Sequence, residues 1–385
     1  MHEVIIRCED GVMLGQPVTP LLEGAKTAQL QQLAQAGAAG VIRQQRRGLG
    51  IDRLRVHHEL LGMAPRETAA GSWYAASVNL ALGEGETAWC CDFVTQRDGK
   101  IIDPMAGCIT TKESEVLLHA LDEQLGSDTR RWEAGEGSHH VLIVRDPSLS
   151  GERPPAIPSP EQLLNLRWDE HLPGASTGDA LRLLIDEAGK LLDDHPINRV
   201  RVDLGENPAN FLWLWGPISG EVPAAHQRRA QLEGLLISRY FPMRGLARVR
   251  GFDWKEGPAA LLDERAMHAL WKAITAGLEH HQTIYVHLRV DTADPVERQC
   301  AMERLDQLIL KPLTQELPRR DPWRLLVAID DHGSDAIPFV AIGTGLPQHP
   351  AVSLAGSQLA ESSLTFPDAA ALAVWFRQGS SWPTA

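Results

Sequence analysis

Val4-Ile5-Ile6-Arg7-Cys8 is a short apolar run closed by the turn signal Asp10-Gly11, and it reads as a buried strand. Thr27 opens a second segment in which Leu30, Leu33 and Ala34 recur at helical spacing, with Gly37 as its stop. Val41-Ile42 begins another apolar run. Strand, helix, strand in that order predicts a parallel sheet, because parallel neighbours need a crossover and the helix supplies it. The same alternation returns in the second half of the chain. Helices are expected over 224–237, 264–278, 297–310 and 369–376, and strands near Ala247 and over 283–288, 325–329 and 339–342.

Between the two ends the pattern changes. Residues 88–94, 100–102, 141–144 and 211–215 read as short strands with polar turns between them. A helical stretch covers 181–192, and 145–160 is a Pro- and Ser-rich loop. The chain therefore divides into an α/β core made of 1–65 and 226–385, with a mainly parallel sheet flanked by helices, and an inserted α+β cap, 66–225. Neither internal repeats nor low-complexity tracts interrupt it.

Composition narrows the function classes. The 385 residues carry 50 acidic and 37 basic side chains, a formal net charge of -13. Phosphate contacts need clustered Lys and Arg, so neither nucleic acid nor an anionic membrane is an expected partner. The local group Arg43, Arg46 and Arg47 reads as a solvated loop. No run approaches the roughly 18 apolar residues of a spanning helix, and Met1–Ile6 has no secretory pattern. Five cysteines, Cys8, Cys90, Cys91, Cys108 and Cys300, are odd in number and irregularly spaced. They suggest no disulfide framework and point to the reducing cytoplasm.

One dipeptide carries chemistry. Asp331-His332 follows the run 325–329, and an Asp-His pair at the C-terminal end of a buried strand can hold a metal ion. Such a site needs further ligands.

Several motifs, collinear over most of the chain, resemble the archaeal-type cofactor-independent phosphoglycerate mutases of the alkaline phosphatase superfamily. Glu23-Gly-Ala-Lys-Thr27 with Leu30 and Leu33 is similar to that family's AKTPNLDRLA helix start. Leu61-Gly62-Met63-Ala64-Pro65 is similar to its LGYDP, and Asp92-Phe93-Val94-Thr95 with Gly99–Asp103 and Ala106-Gly107 to its NFAT…GIIVDRRAG. Asp194–Asn198, Pro208–Phe211, Gly245–Arg248 with Gly251–Asp253, and Val286-His287-Leu288 through Asp291 continue the series. The resemblance implies an alkaline phosphatase-like core with a cap.

It also implies a two-metal site in which a serine passes a phosphoryl group between two hydroxyls of phosphoglycerate. Matched residue by residue, Asp10 falls on the first metal-binding Asp, Asp331 and His332 on the Asp-His pair, and Asp291 on a further Asp. The nucleophile does not match. Arg53 stands at the serine position counted back from Leu61-Gly62, or Ile51 counted forward from Gly50. A ligand histidine falls on Pro295, and His332 cannot stand for two histidines at once. The family's anion-binding arginines fall on Cys90, Pro104, Met105, Cys108, His140 and Trp215, with His139 retained. Guanidinium forks are hard to replace at such sites.

The resemblance thus implies a mutase-related protein without mutase turnover: a binding, regulatory or structural protein whose partner is another protein or a small molecule. The alternative is a single-metal phosphatase or phosphotransferase with Mn, Mg or Zn held by Asp10, Asp331, His332 and water, or a residual mutase. Against the metal stands the ordinary reading of hydrogen-bonded strand ends, with Asp291 a strand-end cap. His57-His58-Glu59 reads as a partly exposed helix, since adjacent helical residues face different ways; His139-His140 and His280-His281 are read likewise. His287 reads as a core or edge strand residue. Cys90 and Cys91 read as ordinary strand positions, and Trp213 and Trp215 as core.

Overall fold

A computed structural model describes residues 1–11, 19–43, 52–63, 70–149, 156–219, 234–330, 336–354, 359 and 364–379. Its strands are β1 (His2–Asp10), β2 (Ala38–Arg43), β3 (Thr87–Arg97), β4 (Lys100–Asp103), β5 (Arg130–Glu136), β6 (His139–Val144), β7 (Phe211–Ser219), β8 (Gly234–Ile237), β9 (Asp253–Lys255), β10 (Thr283–Val290), β11 (Trp323–Asp330), β12 (Ala336–Gly343) and β13 (Thr365–Phe366). Its helices are α1 (Ala28–Ala36), α2 (Arg53–Leu60), α3 (Ala70–Ser77), α4 (Thr111–Leu125), α5 (Ala175–Asp193), α6 (Pro196–Asp203), α7 (Phe241–Arg250), α8 (Glu264–His280), α9 (Pro295–Arg304), α10 (Lys311–Glu316) and α11 (Ala369–Gln378).

Eight strands form the main sheet in the order β13-β2-β12-β11-β1-β10-β8-β9. Only the two pairs made by β12 are antiparallel. β1 lies in the middle, parallel to β10 and β11. The two faces of β1 serve different cores. Val4, Ile6 and Cys8 pack against α1, α8 and α9, while Ile5 joins Tyr285, Leu326 and Ala328 on the face that meets α2 and the cap. Burying each such Leu or Ile contributes about 1.5–3 kcal/mol. β3 to β7 make a second, antiparallel sheet, with β3 paired to β4, β6 and β7.

Two expectations are corrected. Ala247 is not in a strand but inside α7, where Pro242 occupies the first turn and Gly251, at φ 76°, closes the helix in the left-handed region. Residues 234–237, the described end of the expected helix over 224–237, are strand β8, paired in parallel with β10. The apolar Leu-Leu-Ile run is too short to tell a buried strand from a helix by periodicity. The helix begun at Thr27 does form. Its cap comes from afar: Asp306 accepts hydrogen bonds from the Gln29 and Leu30 amides at 3.0 and 2.7 Å.

Candidate functional site

The C-terminal ends of parallel strands are where open α/β sheets carry their sites, and here β1, β10 and β11 end together. Alternation puts Arg7 and Glu9 on the cap-facing side, beside their in-register neighbours His287 and Arg289 of β10 and Asp330 of β11. α2 covers them. Asp52 caps that helix by accepting from the Arg55 amide at 3.0 Å, and Arg53 and His57, one turn apart, both point inward.

The result is a dense buried charge cluster. Arg7 donates to Asp330 Oδ2 at 2.8 Å and lies 2.8 Å from Glu9 Oε1. Arg53 Nε is 3.4 Å from Asp330 Oδ2, and its Nη1 donates to the Asp10 carbonyl at 2.9 Å. His57 Nε2 is 2.9 Å from Glu9 Oε1, and His287 Nε2 is 3.4 Å from Glu9 Oε2. The other nitrogen of each imidazole is engaged: His57 Nδ1 with Tyr285 Oη at 2.7 Å, His287 Nδ1 with Ser238 Oγ at 2.8 Å. Burial, then Arg7, holds His57 down to about 3. Burial likewise lowers His287. Burial opposes the charge on Glu9, but Arg7 and the two histidines outweigh it and hold its carboxyl well below the usual range.

Asp10, one residue on, faces the other way. Arg298 of α9 takes both of its oxygens at 2.9 Å. Asp291 follows β10 with a half-exposed carboxylate 3.3 Å from Arg289 Nε. It lies so close to Gly11 that a Cβ there would come within 1.8 Å of its Oδ1. Asp331 and His332 lie outside the described residues. The structure therefore brings Asp10 and Asp291 to the same end of the sheet, with each carboxylate held by an arginine.

A second buried group sits across the cleft in the cap. Asp92 of β3 accepts from Trp215 Nε1 at 2.6 Å and from Tyr74 Oη at 3.1 Å, and lies 2.8 Å from His139 Nδ1. Burial, then Asp92, pushes the Tyr74 hydroxyl well above its ordinary value. Tyr240 connects the two groups: its ring lies 5.2 Å from His139, 5.8 Å from His287 and 4.7 Å from the Arg289 guanidinium. Between them opens a cleft of about 440 Å³, lined by His139, Tyr240, His287, Arg289, Cys108 and Asp291 among others.

The partly exposed helix expected at His57-His58-Glu59 is thus a buried one, with exposures of 0, 3 and 1%. Its histidines face the sheet on one side and Trp73 on the other. His139 and His140 are buried on β6, not on a helix. His287 is a core strand residue, Cys90 and Cys91 are buried in β3, and Trp213 and Trp215 are buried, as read. What the sequence reading missed is Glu9, Arg7, Arg298, Arg289 and the place of His57. A signal existed for the strands: Arg7 and Glu9, and His287 and Arg289, alternate with apolar residues in otherwise buried runs.

A family described as 2,3-bisphosphoglycerate-independent phosphoglycerate mutase matches residues 34–198. A protein of that name from Methanosarcina barkeri is 28% identical over 342 residues, covering 84% of this chain and 85% of its own. One from Methanosarcina mazei is 28% identical over 346 residues, covering 85% and 86%. Over most of its length the chain is similar to 2,3-bisphosphoglycerate-independent phosphoglycerate mutases. The fold agrees. The cofactor-independent phosphoglycerate mutase of Thermoplasma acidophilum superposes with a TM-score of 0.53 at 23% identity, over 98% of this chain and 99% of that one. The PH0037 protein of Pyrococcus horikoshii gives 0.61 at 18% identity, over 100% and 99%. Of the two residues that the resemblance sets at the family's serine position, Ile51 lies outside the described residues, and Arg53 is held between Asp330 and the Asp10 carbonyl. Among the described residues, no helix is long and apolar enough to cross a membrane.

Proposed function

We propose that this mutase-like protein does not interconvert phosphoglycerates by the serine and two-metal route, and that it is a non-catalytic protein binding a small molecule in the cleft between core and cap. The observation that carries the reading is the Arg298 fork on Asp10. Asp10 matches a metal ligand in the resemblance, yet both of its oxygens are already taken by a buried cation. Arg53, one of the two residues matched to the nucleophile, adds a second guanidinium, and Pro295, at a ligand histidine's position, is the first residue of α9. Among the described residues the donor set does not fit two metal ions, because arginines supply the positive charge that the ions would bring.

The cleft itself is suited to a small polar ligand. Arg289 and the two imidazoles of His139 and His287 face it, with Tyr240 as an aromatic wall. None of the five cysteines is in a disulfide, which fits residence in a reducing cytoplasm. The test is an enolase-coupled assay of 3- to 2-phosphoglycerate conversion by the purified protein with manganese. No conversion above the buffer rate is expected. Turnover proportional to protein, and lost in Asp10→Asn, would overturn the reading.

A further inference from the structure

We propose that Glu9, His57 and His287 form a mononuclear site for a divalent transition-metal ion of the zinc class, separate from the Asp10 and Asp291 positions matched to the family's metals. The site goes beyond the functional reading above and does not depend on it.

Three buried side chains from three elements, β1, α2 and β10, converge so that one ligand atom of each lies within 4.8 Å of the other two. They are 2, 0 and 2% exposed. Glu9 Oε1, His57 Nε2 and His287 Nε2 are all shut off from solvent, and none has an aligned hydrogen bond. Glu9 is at ion-pair distance from both imidazoles, but the contacts are off-line for donation. Leaving three such atoms unsatisfied in one place costs about 1–3 kcal/mol apiece. One shared cation would satisfy them together.

The spacing suits an ion. With metal–nitrogen distances of about 2.0–2.1 Å, neighbouring ligands in octahedral or tetrahedral geometry lie about 2.9–3.4 Å apart. The Glu9 carboxylate spans the pair, with Oε1 2.9 Å from His57 Nε2 and Oε2 3.4 Å from His287 Nε2. The outer shell is also built: Tyr285 holds His57 Nδ1 at 2.7 Å and Ser238 holds His287 Nδ1 at 2.8 Å, which fixes each ring with Nε2 inward. Two imidazoles and a carboxylate suit zinc, and the same set takes iron or cobalt. Arg7 also approaches Glu9, but its aligned bond is to Asp330 at 2.8 Å. It can therefore yield Glu9 to an ion and keep its counter-charge. His287 also lines the cleft.

The test uses the full chain, purified without a histidine tag or chelator. Elemental analysis should find about one zinc-class ion per chain. After chelation, Co²⁺ titration should give visible ligand-field bands with a one-to-one end point. Glu9→Gln and His287→Gln should abolish both signals, while Asp10→Asn and Asp291→Asn keep them. Tyr285→Phe should weaken Co²⁺ binding on the order of ten- to a hundredfold, as loss of an outer-shell partner does. Wild-type protein with neither bound ion nor cobalt bands would overturn the proposal, and this arm does not depend on a variant folding. So would an ion that survives in Glu9→Gln and His287→Gln but is lost in Asp10→Asn or Asp331→Ala.

Discussion

Arg298 holds both oxygens of Asp10 at 2.9 Å, and each side chain is only 1% exposed. A fork of that kind is the strongest common form of the carboxylate–cation pair. It does not follow that the pair is a net gain in stability, because both ions had to leave water. What does follow is an asymmetry. Arg298→Met leaves a buried carboxylate uncompensated and should cost about 3–5 kcal/mol, whereas Asp10→Leu with Arg298→Met should fall much nearer to wild type. Urea unfolding of the four proteins of the cycle measures both. A loss in the double variant equal to the sum of the two single losses would mean that the two charges are not coupled.

Arg53→Ser puts a hydroxyl at one of the two positions, 53 and 51, that the family resemblance offers for the nucleophile. It removes a cation 3.4 Å from Asp330, but Arg7 remains there at 2.8 Å, so the expected loss is about 1–3 kcal/mol. No phosphoglycerate conversion should appear, since Asp10 stays bound to Arg298. The enolase-coupled assay checks the activity, and the urea midpoint checks the cost. Measurable turnover in this single variant would place the whole block to catalysis at residue 53.

The central strands were legible because each is an apolar run between turn residues, and α8 because its apolar stripe is regular. β8 and α7 were not. Four residues of β8 carry too little periodicity, and α7 shows its helical nature only through Pro242 and Gly251 at its ends. The site was legible in part. Asp10 could be placed at a strand end, but nothing in its local sequence says that a guanidinium 288 positions away would take it. His57 was hidden for a related reason. Solvated and buried faces of a short polar helix look alike until the strands under it, with Glu9 and His287, are in place.

Gly245 marks the closest approach of α3 and α7. A Cβ there would lie 1.7 Å from the Trp73 carbonyl oxygen, which is backbone and cannot swing aside. Its amide donates to Ser77 Oγ at 2.9 Å, and Ser77 in turn donates to the Phe241 carbonyl at 2.9 Å. Gly245→Ala should therefore push the helices apart and cost on the order of 1–3 kcal/mol or more. Ser77→Ala loses only the bonds and should cost about 1 kcal/mol. If the alanine at 245 proves as mild as the alanine at 77, in thermal or urea unfolding, the helices have room that this packing denies.

His140 supplies a pH dependence that can be isolated from the charge cluster. It is fully buried on β6, its ring 5.0 Å from Phe93, and its Nδ1 accepts from the Gly135 amide at 3.1 Å. Burial, and secondarily His139, lowers it to about 3. The folded chain therefore refuses a proton that the unfolded chain takes up near its ordinary value of 6.5. Stability must fall as pH drops below that value, by about 1.4 kcal/mol per pH unit from this residue, until the folded form also protonates. Asn at this position retains an acceptor for Gly135 and cannot titrate. The stability of His140→Asn relative to wild type should thus rise by about 2 kcal/mol between pH 7 and pH 5. Urea unfolding at the two pH values gives the difference directly; a gap that does not change with pH would mean that His140 takes up its proton alike in the folded and unfolded chain.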